Sequence, residues 1–262
     1  MASVLLRSVD DREPSMSQAV LVEILVSSTT DRADRARALR ILGYGGHLRV
    51  LAFVGSPADV EVVIAQLKTA GQRVHWLRMG DTWAITIDGD IPDSLGVPIG
   101  SYLAVGTRTP GLSAPKSWQT ACLALLFTLP SSHDTGPYRR EEAVAADVDR
   151  IGCFALLAQH IPRRSIADAD EIRALDRLAD EPGGAEMLRT LEAVAATESI
   201  RRAGSTIHMH HNTVRNRVER AEEALKFSVT EPYGRVRLMM SLILRRLRDA
   251  PVVPLGYPAR ED

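Results

Sequence analysis

Residues 210–216 hold a concentrated set of hydrogen-bonding side chains, at the point where a helix is predicted to begin. An Asn side chain can form two hydrogen bonds with adenine, an Arg side chain can do the same with guanine, and Thr can contact a phosphate or the thymine methyl group. Such side chains are typical of the second helix of a helix-turn-helix motif, whose N-terminal residues contact base edges in the major groove. We therefore expect base contacts from His211, Asn212, Thr213, Arg215 and Asn216.

The spacing of apolar residues predicts which face of this helix is buried. Apolar positions recur at intervals of four, three and four residues, which places them on one side of a helix: Val214, Val218, Ala221 and Leu225. A shorter helix with Ser199 as its cap is predicted before it, separated by His208 and Met209. Gly204 lies on that shorter helix and is small enough to allow a close approach of two helices.

Positive charge is concentrated in the C-terminal quarter of the chain. Residues 199–220 contain five Arg and one acid, a balance of +4, and residues 235–248 contain five Arg and no acid, a balance of +5. Residues 221–234 and 249–262 carry −2 each and the whole chain carries −1, so residues 1–198 carry −6. This asymmetry favours a polyanionic partner. The arginines expected to neutralise phosphates, which positions a protein on DNA without specifying sequence, are Arg201, Arg202, Arg217 and Arg220.

Two motifs in this region resemble a known family. Thr190-Leu191, followed by His210-x-Asn212-Thr213-Val214-Arg215-x-Arg217-Val218, resembles the C-terminal DNA-binding domain of PucR/CdaR-type regulators of purine catabolism and sugar diacids. The stretch 151–157 resembles the start of that domain, so the resemblance covers about 140–248. It departs from the usual pattern at four positions: Arg201 replaces a small residue, Gly204 replaces Ala, and Val218 replaces Leu, while Thr206 weakens the apolar character of the first helix.

The resemblance implies a function and its partners. It implies a cytoplasmic transcriptional activator or repressor that binds double-stranded promoter DNA, as a homodimer or a higher homo-oligomer. It also leaves room for a small-molecule effector of unknown identity. The expected function is thus a sequence-specific DNA-binding regulator whose helix starting near His210 lies in the major groove. The alternative is an adaptor that binds protein or any polyanion, in which the helix-turn-helix is vestigial.

The N-terminal half has a different pattern. Short apolar runs separated by Gly and Pro predict strands, and Gly80-Asp81 between two such runs predicts a β-hairpin. Residues 17–130 resemble, more weakly, the degenerate GGDEF-like domain of the same regulators, which would be regulatory or would mediate dimerisation. Trp76 and Trp83 beside the hairpin fit either a core or an interface. A working cyclase would hold paired metal ions at this hairpin, where the chain has only Asp81, so catalysis is not expected.

The 262 residues are predicted to form two domains of different structural class. The predicted fold class is α+β: an N-terminal α/β domain with a mainly antiparallel sheet, then an all-α helix-turn-helix domain. The predicted divisions are a flexible start (1–16), the GGDEF-like domain (17–130), a linker (131–137), the DNA-binding domain (138–249) and a disordered tail (250–262). No apolar run is long enough to span a bilayer.

Metal and cofactor sites are not predicted. His208, His210 and His211 lie close together, yet no Cys or nearby carboxylate completes a zinc ligand set. The two cysteines, Cys122 and Cys153, lie in apolar helical stretches and are expected to be small buried residues. The remaining enzymatic hypothesis is a nucleotide hydrolase or residual cyclase in residues 17–130. This segment has no phosphate-binding Gly-rich loop.

Overall fold

A computed structural model describes residues 16–129, 144–197 and 199–250. The described residues divide into two compact units, the first comprising 16–129 and 144–152, the second 153–250. The predicted linker at 131–137 lies outside the described residues, as do the predicted N-terminal segment up to residue 15 and the predicted tail from residue 251. The domain boundaries therefore stay predictions.

The N-terminal unit is built from helices and strands in alternation. Its helices are α1 (Met16–Val26), α2 (Arg32–Leu42), α3 (Pro57–Thr69), α4 (Ala114–Leu125) and α5 (Val148–Ile151). Its strands are β1 (His47–Val54), β2 (Val74–Met79), β3 (Thr82–Ile87), β4 (Tyr102–Val105), β5 (Thr109–Pro110) and β6 (Ala145–Asp147). The helix ends follow local sequence: the Asp31 side chain accepts the Ala33 amide at the start of α2, and Gly43 ends that helix with φ at +78°.

The strands form one sheet in the order β2-β3-β1-β4-β6, with β5 pairing with β1. Neighbours pair antiparallel except β4 and β6, which are parallel. The predicted hairpin is confirmed: β2 and β3 pair from Val74 with Ile87 to Met79 with Thr82, and Gly80 turns the chain with φ at +64°. Glycine adopts this left-handed conformation at little cost.

Helices cover both faces of the sheet. Side chains of α3 pack in one apolar core with Leu51, Phe53 and Ile85 from one face, while α1 contacts β2 and α4 contacts β1 and β4. Burial on both faces explains why β1 and β3 are buried over most of their length, whereas β2 alternates between buried and more exposed residues. Trp76 and Trp83 belong to this core and are each 7% exposed, which decides between the two interpretations in favour of packing.

Two expectations for residues 141–159 are wrong. No strand pattern follows the predicted linker, so the sequence predicts one helix over 141–159, but residues 145–147 form a short parallel strand beside β4. The helix that follows stops at Gly152, whose φ is +56° and ψ is −131°. Residues other than glycine rarely adopt this conformation. Arg49 of β1 forms ion pairs with Asp147 and Asp149, which stabilises the added strand. Cys153, expected to be buried, is exposed next to this break, whereas Cys122 is buried.

The C-terminal unit is entirely helical in its described residues. Its helices are α6 (Phe154–His160), α7 (Arg163–Ala167), α8 (Asp170–Asp180), α9 (Gly184–Ala196), α10 (Ile200–Thr206), α11 (His211–Leu225) and α12 (Pro232–Asp249). Helix α9 contacts α8, α10, α11 and α12 and lies at the centre of one apolar core. The α+β fold class, an N-terminal unit with a mostly antiparallel sheet followed by a helical unit, is confirmed.

The arginines of α12 do not form a free basic surface. Arg237 bonds to Glu171 (2.5 Å), Arg245 and Arg248 bond to Asp176 (2.9 and 2.5 Å), and Arg246 pairs with Glu192 (3.5 Å). The hydrogen bonds from Arg248 and Arg245 hold the pKa of Asp176 below its usual value, and the bond from Arg237 does the same for Glu171. Hence the +5 balance of 235–248 is largely neutralised by acids of α8 and α9.

Candidate DNA-binding site

Helices α10 and α11 are joined by the short segment 207–210. Ser199 caps α10 by accepting the Arg202 amide (3.2 Å), and the His210 ring caps α11 by accepting the Asn212 amide on Nδ1 (3.3 Å). His208, inside the turn, has φ at +53°. Helix α11 therefore begins at His211, and the connection is two residues longer than predicted.

Gly204 lies where α10 meets the turn and α11. A Cβ atom at this position would be 2.6 Å from the Met209 carbonyl oxygen and 3.5 Å from a methyl group of Val214. The Met209 amide in turn donates to the Gly204 carbonyl oxygen (2.8 Å), which holds the backbone of the turn close. The missing side chain is thus what allows the close approach.

Replacing Gly204 by alanine is expected to destabilise the C-terminal unit by up to about 2 kcal/mol. Alanine favours a helix by about 1 kcal/mol over glycine, but forcing an atom into a filled site costs about 1–3 kcal/mol, and the nearest atom here is backbone. Urea denaturation followed by far-UV circular dichroism measures the difference. Ser205→Ala, an exposed change on the same helix, is the control and should have little effect. A more stable Gly204→Ala variant would contradict the expectation.

The exposed and buried faces of α11 separate as its sequence predicts. Val214, Val218, Ala221 and Leu225 are buried in the apolar core with Leu191 of α9. All the residues expected to contact bases are exposed: His211, Asn212, Thr213, Arg215 and Asn216. The His210 and His211 rings lie against each other at 4.3 Å between centroids. The first two turns of α11 therefore present a continuous polar surface.

The arginines expected to contact phosphates fall into two groups. Arg201 and Arg202 are exposed on α10. Arg217 is half-buried and donates through one nitrogen, Nη1, to the Glu186 carbonyl oxygen and to Thr190 Oγ1, both at 2.9 Å. Arg220 forms an ion pair with Glu181. The second pair of arginines therefore contacts the segment 181–190 of the unit itself.

Only some of the residues that form these contacts belong to a sequence motif. Thr190 belongs to the Thr-Leu pair of the family motif, and the structure brings it to Arg217 of the second motif, 27 residues further on. Glu181 and Glu186 belong to no motif and carry no sequence signal for the contact. Beside these residues a cleft of about 330 Å³ separates the α8–α9 connection from α11, lined among others by Gly183, Thr213 and Asn216.

The residues grouped around the hairpin of the N-terminal unit do not converge on one site. Trp76 and Trp83 lie in the core, while His75 bonds through Nε2 to the Leu42 carbonyl oxygen (3.1 Å), and its burial lowers its pKa. Asp81 is exposed and pairs with Arg78 (3.9 Å). Within the described ranges no three His, Cys, Asp or Glu residues are grouped as metal ligands would be. No helix among the described residues is long and apolar enough to cross a membrane.

Two helices joined by a tight turn, with the second presenting polar side chains, define a helix-turn-helix domain of the kind found in transcriptional regulators. Residues 187–244 match the PucR C-terminal helix-turn-helix domain, which confirms the resemblance for this part of the chain. The match lies within the C-terminal unit and says nothing of the unit before it. It supports the assignment of the chain to transcriptional regulators.

Other comparisons add little. No curated protein matches the chain significantly. One matching solved structure is described as the crystal structure of a regulator of polyketide synthase expression from Bifidobacterium adolescentis. It is 16% identical, the match covers 88% of this chain and 93% of that chain, and the TM-score is 0.37. A likeness at this level carries no argument about function.

Proposed function

We propose that the chain is a sequence-specific DNA-binding transcriptional regulator that inserts the N-terminal half of α11 into the major groove. One observation carries the proposal: five polar side chains on the first two turns of α11 are exposed while the opposite face is held in the core. In this arrangement base contacts come from His211, Asn212, Thr213, Arg215 and Asn216.

Phosphate contacts in this proposal come first from Arg201 and Arg202, because both are exposed on α10. Neither Arg201 nor Arg215 forms an ion pair or side-chain hydrogen bond with any other described residue, so both guanidinium groups are available to DNA. Each phosphate neutralised by an arginine releases condensed counterions, which makes affinity depend on salt.

The N-terminal unit has a regulatory or dimerising role in this proposal, and we assign it no catalytic step. The protein would act in the cytoplasm as a homodimer or larger homo-oligomer, which a two-fold symmetric operator would match.

Selection of duplexes from a random pool by the full chain tests the function directly. We expect an enriched motif, and about a thousandfold or more tighter binding of the enriched duplex than of its scrambled version at physiological salt. Fluorescence anisotropy titrations over a range of salt concentrations measure both affinities. Salt-dependent binding without discrimination between the two duplexes would instead support the polyanion-binding adaptor.

A further inference from the structure

We infer that Arg217 and Thr190 are positioning residues that set the rotation of α11 about its own axis, and that Arg217 acts through this contact instead of through a DNA phosphate. The inference rests on the proposed function, because the helix it positions is the one proposed to contact bases. Its geometric part concerns the free protein and can be tested without DNA.

The contact is built from a buried hydroxyl and a charged donor. Thr190 on α9 is fully buried, and its hydroxyl donates to the Glu186 carbonyl oxygen (2.6 Å). Arg217 Nη1 donates to both of these oxygens at 2.9 Å. Hydrogen bonds from a charged donor are shorter and stronger than those from a neutral donor. Here one charged nitrogen donates to two acceptors on a single turn of α9.

A second contact lies on the same side of α11, one turn further on. Arg220 pairs with Glu181, just before α9, and residues three apart on a helix are neighbours on its surface. The apolar face through Val214 and Val218 fixes how closely α11 packs. Apolar packing is non-directional, whereas hydrogen bonds have preferred angles. The two arginines therefore restrain the rotation of α11 about its axis, which the apolar contacts restrain less.

Rotation matters because it changes which exposed side chains of α11 face a base. Asn212 and Arg215 are both exposed, and a bidentate contact to a base requires both hydrogen bonds to be aligned. A phosphate contact tolerates more displacement, since it depends mainly on charge. Loss of the Arg217 contact should accordingly reduce discrimination between sequences more than it reduces general affinity for DNA.

The DNA-binding test compares Arg217→Ala and Thr190→Val with Arg201→Ala. For both positioning variants we expect affinity for the enriched duplex to fall about tenfold, affinity for the scrambled duplex to change less than about twofold, and the slope of log affinity against log salt to be unchanged. Arg201→Ala should reduce affinity for both duplexes and lower the slope by about one. Thr190→Val is informative because this buried side chain cannot touch DNA.

The double variant tests whether the two residues act together. If Arg217 acts through Thr190, the Thr190→Val, Arg217→Ala double variant should bind the enriched duplex about as well as Arg217→Ala alone. The inference is overturned if Arg217→Ala lowers the salt slope by about one and weakens both duplexes equally while Thr190→Val leaves the binding unchanged.

Amide hydrogen exchange on the free protein separates this inference from the proposed function. We expect the amides of residues 213–218 to exchange at least about fivefold faster in both variants, because the restraint on α11 is lost. Unchanged amide exchange in both variants would overturn the inference, whatever the DNA-binding measurements show. If the wild-type chain fails to discriminate between duplexes while both variants show the faster exchange, the proposed function fails and the structural role of the contact stands.

Discussion

Replacing Val218 by aspartate is expected to unfold the C-terminal unit while leaving the N-terminal unit folded. Val218 is 2% exposed in the core between α9 and α11, and an unpaired carboxylate there should destabilise the unit by about 4 kcal/mol or more. Specific DNA binding should be lost with it. This prediction also tests the proposed division of the chain into two domains.

The distribution of tryptophan makes the measurement selective. Trp76, Trp83 and Trp118 are the only tryptophans of the chain and all belong to the N-terminal unit, whereas the C-terminal unit contributes helical circular dichroism. In urea, Val218→Asp should shift part of the dichroism transition to lower denaturant and leave the tryptophan fluorescence transition in place. Asn216→Asp adds the same charge on the exposed face of α11 and should shift neither by much.

Two outcomes would contradict this prediction in different ways. If the fluorescence transition moved together with the dichroism transition, the units would unfold as one cooperative block and the domain division would be wrong. If neither transition moved, Val218 would not be buried in a core and the assignment of the buried face of α11 would fail.

Replacing Arg215 by alanine is expected to weaken binding to the enriched duplex by about 1–3 kcal/mol and to relax preference at one base pair. The physical reason is that Arg215 is exposed on the polar face and its side chain forms no ion pair or hydrogen bond with another described residue, so the change removes the proposed base contact without disturbing packing. Competition titrations with duplexes substituted at each position measure the change in preference.

Arg201→Ala serves as the matched control for this experiment. It removes the same charge from the neighbouring helix, and it should weaken binding to all duplexes without changing their order. Wild-type affinity and preference in the Arg215→Ala variant would show that α11 is not the recognition helix, or that it enters the groove on another face.

The sequence by itself determined features that depend on neighbours within a few residues. The intervals between Val214, Val218 and Leu225 set which face of α11 is buried, because helical phase depends only on spacing. The same holds for the Asp31 cap and for the Gly80-Asp81 hairpin, whose turn depends on a residue that tolerates positive φ. The exposure of the polar residues at the start of α11 followed from these local rules.

The tertiary structure alone decided which charges remain available. The basic balance of 235–248 suggested a polyanion-binding surface, but these arginines pair with acids as far as 72 residues away in sequence. Arg217, expected from its charge to contact phosphate, donates a hydrogen bond to Thr190 of α9 in the structure. Such pairs depend on how helices pack, and nothing in the spacing of arginines distinguishes a paired one from an exposed one.

Strand β6 in the N-terminal unit is a second feature that the sequence alone did not predict. Three residues carry too little periodicity to distinguish strand from helix, and residues 145–147 become a strand only because β4 offers an unpaired edge about 40 residues earlier in the chain. The sequence thus determined where the helix-turn-helix lies and which of its faces is polar. Only the packing of α8 and α9 against α11 and α12 decided which arginines remain exposed, because ion pairing is set by distance in space.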